Sequence, residues 1–150
     1  MLGLVKRLLG GMELDSGLAG ELSQAVSEGG LDVEAALMAH SNWKLRLEAY
    51  LDGKSSEDLR PEVICFDDRC DLGRWIHGPG AQRLGRYRGF TALRENHRMF
   101  HYAASNVVSL NQSGRKAEAR RMLDGVYAGF STKVIDDLTG LRDLAQRRKG

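Results

Sequence analysis

Apolar side chains recur at helical spacing along most of the chain. Val33, Leu37, His40, Trp43, Leu47 and Leu51 follow one another at three- and four-residue intervals, the pattern of a single buried helix face. Asp32 precedes them as an N-cap, Glu34 suits the positive end of the helix dipole, and Gly53 after Asp52 is a stop signal. A helix is therefore predicted over about 32–52, with His40 on its buried face. A second stripe, from Phe90 through Leu93, His97, Phe100, His101 and Ala104 to Val107 and Val108, predicts a helix over 90–112, closed by Ser113-Gly114. The third stripe includes Ala119, Leu123, Phe130, Val134 and Leu138 and continues to Ala145, predicting a helix over 115–147. Gly125, Gly129 and Gly140 weaken it and permit a kink or a close helix approach.

The intervening segment reads differently. Residues 53–89 hold both prolines, both cysteines and six glycines, which predicts loops with one or two short helices. One such helix is expected over 71–77, stopped by Gly78-Pro79-Gly80. Residues 1–31 are Gly-rich and read as a loosely attached leader. Leu18, Leu22 and Val26 predict a short helix over about 16–28 within it. Short links between long helices predict an all-α fold, an antiparallel four-helix bundle with a loop and short-helix insert between the first two long helices. The expected division is a leader at 1–31 and a helical-bundle domain at 32–147.

Composition agrees with one soluble domain. The chain has 150 residues, 42% hydrophobic and 28% charged, enough for one core without disulfide staples. Its net charge of +2 is too small for nucleic-acid binding by default. The first 60 residues carry a net −4 and residues 61–150 a net +6, which reads as ordinary solvated helix faces. No apolar run reaches the length of a membrane span. Met1 to Gly10 is short and greasy, but Lys6 and Arg7 sit inside it, so it reads as an amphipathic or partner-binding segment and not a signal peptide. Two cysteines without an export signal point to a reducing, cytoplasmic setting.

Four side chains carry the candidate chemistry: His40, Cys70, His97 and His101. His97 and His101 are four residues apart and stack on one helix face. A second helix supplies His40 and the connecting segment supplies a thiolate. Zinc takes four ligands of this kind in a tetrahedron. His77, before Gly78, suits a helix C-terminus and stays outside the set. Cys65 is either a small buried residue or a resolving thiol for Cys70. Trp43 and Trp75 read as core anchors, and Gly73 as a position needing a tight backbone. Asp67, Asp68 and Asp71 bracket Cys70 and read as exposed acids or as acceptors for a ligand's second ring N–H.

The flanking residues are specific. His40-x-x-Trp43-Lys44, Cys70-x-Leu72-Gly73-x-Trp75 and His97-x-x-Phe100-His101 together resemble the chemoreceptor zinc-binding domain family of bacteria. The run from Asp67 to Gly78 looks like that family's central signature, and the resemblance extends over about 32–141. It implies one zinc on His40, Cys70, His97 and His101 and a homodimer. It further implies control of a separate signalling protein of the chemoreceptor or diguanylate cyclase type. Zinc itself or an oxidant such as hypochlorous acid acting on the zinc thiolate is the implied stimulus. Neither output segment is present in this chain.

Other readings fit less well. A structural zinc-stapled adaptor shares the site. A zinc hydrolase needs an open coordination position and a general base, and Glu95 is turned off the His97/His101 face. A di-iron bundle needs inward carboxylates that the stripes lack. The expectation is a non-enzymatic sensory or regulatory domain.

Overall fold

The computed structural model describes residues 16–149, with side chains at residue 20 and over 22–144. The Met1–Gly10 reading and Ala145 of the last stripe lie outside what is described. Every element among the described residues is helical. In chain order these are α1 (Ser16–Glu28), α2 (Val33–Leu51), α3 (Pro61–Ile64), α4 (Asp71–Ile76), α5 (Pro79–Leu84), α6 (Arg88–Gln112), α7 (Lys116–Met122), a π-helical turn (Leu123–Tyr127) and α8 (Ala128–Lys149). None of the described helices is long and apolar enough to cross a membrane.

Local signals set the ends of α2. The Asp32 side chain accepts from the Ala35 N–H at 3.0 Å, and Asp52 caps the C-terminus. Gly53 then turns the chain with φ 70°, a left-handed conformation that glycine adopts without strain. The end of α6 repeats the device with Ser113 and Gly114 at φ 79°. Val33, Ala36, Leu37, His40, Leu47 and Leu51 are the buried positions of α2. The buried stripe of α6 runs from Phe90 to Val108 and includes His97 and His101.

These helices form a bundle. Helix α8 packs against α1, α2 and α6, and α2 also packs on α6. The described part of the expected leader, α1, instead belongs to this core. Leu22 and Ala25 of α1 are fully buried, and the indole N–H of Trp75 donates to the Ala25 carbonyl at 2.8 Å. The period-four pattern of α1 gave the helix but not what it packs on, which is α8 and α5.

The insert between α2 and α6 holds three short helices, where one or two were predicted. Gly78-Pro79-Gly80 does stop α4, but Pro79 also opens α5 from its first turn. A proline's missing N–H is harmless there because the first-turn N–H groups have no helical partner. The third predicted helix is continuous but not uniform. It widens into a π-helical turn over Leu123–Tyr127, which contains Gly125. Gly125 and Gly129 are exposed, and a Cβ at either would meet nothing within 4 Å, so neither serves a close approach within the chain. The wider turn carries buried Tyr127, whose ring lies 5.2 Å from that of Phe100.

Candidate metal centre

Three segments bring the predicted residues together. His40 comes from the middle of α2, His97 and His101 from one face of α6, and Cys70 from the residue that caps α4. The three histidines are buried, at 3%, 0% and 5% exposure, and Cys70 is half-buried. One potential ligand atom from each lies within 4.8 Å of all the others. His97 Nε2 is 3.2 Å from His40 Nε2 and 3.1 Å from His101 Nε2. Cys70 Sγ is 3.4 Å from His97 Nε2 and 3.8 Å from His101 Nε2.

These spacings suit one tetrahedral ion. Zinc–nitrogen and zinc–sulfur bonds of about 2.0–2.1 and 2.3 Å imply edges of roughly 3.3 Å between nitrogens and 3.6 Å between nitrogen and sulfur. Hydrogen bonding satisfies the cluster only in part. His40 Nδ1 lies 2.8 Å from the Ala36 carbonyl and His101 Nδ1 lies 3.0 Å from the Ile64 carbonyl. A carbonyl only accepts, so both Nδ1 atoms carry the proton in the neutral ring. Both Nε2 atoms then present lone pairs to the same point. His97 Nδ1 is buried without a partner. A proton on His97 Nε2 would serve only one of the two flanking Nε2 lone pairs, whereas one cation meets all three nitrogens and the sulfur at once.

Electrostatics favour neutral rings. Burial pushes the pKa of His40 down to about 4 and that of His97 to about 2; neighbouring histidines add to the effect. Burial lowers His101 too, partly offset by its bond to Ile64. Burial raises the Cys70 thiol, opposed by backbone N–H groups, Gly73 foremost. A bound divalent cation reverses that preference and holds the thiolate.

The loop geometry is built for Cys70. Its Sγ accepts from the Gly73 N–H at 3.3 Å, so the candidate ligand also caps α4. Gly73 is buried so closely that a Cβ there would sit 1.8 Å from the Asp67 carbonyl oxygen. The carboxylates of this loop do not serve the cluster histidines as acceptors. Asp67 binds His77 at 2.9 Å, Asp71 binds Arg74, and Asp68 is exposed. Backbone carbonyls take the expected acceptor role. Ala36 was within reach of sequence reasoning, one turn before His40; Ile64 was not.

The remaining predicted residues fall as follows. His77 caps the C-terminus of α4 and lies outside the cluster. Cys65 is a free, half-buried thiol at the end of α3. Trp75 is buried at 2%, whereas Trp43 is half-buried with the Arg46 guanidinium 3.9 Å from its ring centre. Glu95 is exposed and binds Arg98. Phe100, one residue before His101, packs on the rings of both His40 and His101 at 5.2 and 5.4 Å.

Residues 40–108 match the family model described as the chemoreceptor zinc-binding domain. No curated protein and no solved structure matches the chain. The matched span begins at His40 and takes in the other three cluster residues, and the cofactor of that domain is zinc.

Proposed function

We propose, from the premise that the chain carries a chemoreceptor zinc-binding domain at residues 40–108, that it is a bacterial zinc-dependent sensory and regulatory module and not an enzyme. His40, Cys70, His97 and His101 are the proposed ligands of one zinc. The observation that carries this is the convergence of four metal-binding atoms within 4.8 Å. When bound, zinc supplies a cross-link between α2, α6 and the insert and stabilises the thiolate. Four protein ligands complete a tetrahedral shell and leave no position for a catalytic water.

The domain is read as an antiparallel four-helix bundle of α1, α2, α6 and the α7–α8 rod. The expected 32–147 unit is extended to include α1, because Leu22 and Ala25 share its core. Cys70 is the responsive element. Falling zinc leaves it as a thiol, and hypochlorous acid oxidises its thiolate to sulfenic acid with release of chloride. Either change removes a ligand and loosens the contact between the insert and α6. The output is a conformational change passed through a cytoplasmic homodimer to a chemoreceptor or diguanylate cyclase type of partner. Met38 and Leu45, exposed at 71% and 63% and two turns apart on α2, support a second copy as the dimer contact.

The test is metal content of protein purified without added metal, for wild type and Cys70→Ala. Zinc release is followed during titration with hypochlorous acid. One zinc per chain, lost in the variant and released by oxidant, is expected. Zinc that oxidant leaves in place would reduce the module to a zinc sensor or a structural staple. Absence of zinc would overturn the ligand set.

A further inference from the structure

One side of the cluster is open. A cavity of about 440 Å³ runs between α2 and α3 to Cys70 and His101, and does not reach His40 or His97. That volume lies within the usual range of small-molecule sites, roughly 300–1,000 Å³. Its walls are apolar and aromatic: Trp43, Leu59, Val63, Ile64 and Phe66. Val63 and Phe66 are exposed at 41% and 45%, so this wall is left uncovered by the fold.

A guanidinium stacks on each aromatic wall. Arg46 lies over Trp43 at 3.9 Å, and Arg69 lies over Phe66 at 4.1 Å. Their states differ. Arg46 binds both carboxylate oxygens of Glu57, so its charge is neutralised within the chain. Arg60 is likewise paired with Glu62. Arg69 has its stack on Phe66 and no carboxylate partner among the described residues. Its in-plane N–H donors suit a planar carboxylate, and the ring faces beside it suit an attached aromatic ring. Asp58 in the same lining disfavours a second negative charge.

We propose that this cavity binds a small aromatic monocarboxylate, and that the bound molecule covers the Cys70 thiolate. The carboxylate is held by Arg69 and the ring lies between the Trp43 and Phe66 walls. The covering of Cys70 as a control on sensing rests on the zinc-sensor reading; the cavity itself does not.

The experiment uses the zinc-loaded full chain and 2-naphthoate as probe, by calorimetry, with uncharged 2-naphthamide as the comparison. Arg69→Gln removes the charge, and Val63→Trp fills the cavity from an exposed position. Saturable one-to-one binding of 2-naphthoate is expected, about tenfold weaker in Arg69→Gln and for the amide, and lost in Val63→Trp. Saturating 2-naphthoate is expected to slow alkylation of Cys70 and leave Cys65, which does not line the cavity, unchanged. No binding to wild type, or equal binding in both variants, overturns the site. Binding that leaves Cys70 alkylation unchanged overturns its covering. Zinc content is read on the same samples. Zinc-loaded chain that fails to bind overturns the cavity alone, and binding by chain that takes up no zinc overturns the metal reading alone.

Discussion

The indole N–H of Trp75 donates to the carbonyl of Ala25 at 2.8 Å, across fifty residues of sequence and in a buried setting. Trp75 sits on α4, the helix that Cys70 caps, so this bond ties the first helix to the loop that carries the thiol. A Cβ on Gly29 would lie 2.8 Å from the same indole, which shows how closely the end of α1 is laid against it.

Trp75→Phe is therefore expected to cost about 1 kcal/mol, the net worth of one buried hydrogen bond, because the Ala25 carbonyl still accepts from the Gly29 N–H at 3.1 Å. Denaturant unfolding gives the loss. Hydrogen exchange is expected to show it first in α1, while zinc content stays at the wild-type level.

Loss of a proposed ligand acts on the metal directly. Changing groups that merely orient ligands typically costs 10–100-fold in metal affinity. Cys70→Ser and His97→Asn are each expected to cost more than about 100-fold, read by chelator competition. Zinc removal from wild type is expected to lower the melting temperature. Free zinc at about 1,000 times its dissociation constant adds about 4 kcal/mol to the folded state.

Glycines at two positions separate close packing from propensity. Gly73→Ala places a Cβ 1.8 Å from the Asp67 carbonyl oxygen, so the loop must move. A loss of about 3 kcal/mol and weaker zinc binding are expected. Gly129 lies in α8 with open space for a Cβ, and Gly129→Ala is expected to stabilise by about 0.5–1 kcal/mol. Unfolding curves of both variants check the pair.

Much of this was legible in the sequence because capping signals and apolar spacing are local. Asp32, Gly53 and Gly114 mark the ends of α2 and α6, and the stripes put His40, His97 and His101 on buried faces. What was not legible depends on distant partners. The burial of α1 requires α8 and Trp75, both far along the chain. The Ile64 carbonyl that orients His101 lies 37 residues away and belongs to the backbone, which carries no residue-specific signal. Pro79 reads as a stop after α4, yet it also opens α5, since a proline both ends one helix and suits the first turn of another.

The proposed dimer has its own test. Lysines at Met38 and Leu45 place charge on exposed positions of α2 that make no use of the core. The double variant Met38→Lys, Leu45→Lys is expected to sediment as a monomer with zinc content unchanged.

Acid sensitivity follows from the buried histidines. The unfolded chain protonates each histidine near pH 6.5. In the metal-free folded chain, protonation waits until about pH 4 at His40 and about pH 2 at His97. Between pH 6.5 and 4 the unfolded state therefore binds more protons, and stability falls as the pH is lowered. Above about pH 6.5 the histidines are neutral in both states and this dependence disappears. Each histidine contributes a slope of up to about 1.4 kcal/mol per pH unit inside the window. Metal-free protein is expected to show the slope of at least two histidines in denaturant midpoints between pH 6 and 4. Asparagine in place of His40 is expected to remove about one histidine's share. A metal-free wild type with flat stability across that range would mean that the three rings are not held neutral by burial, and would remove the electrostatic argument for a cation among them.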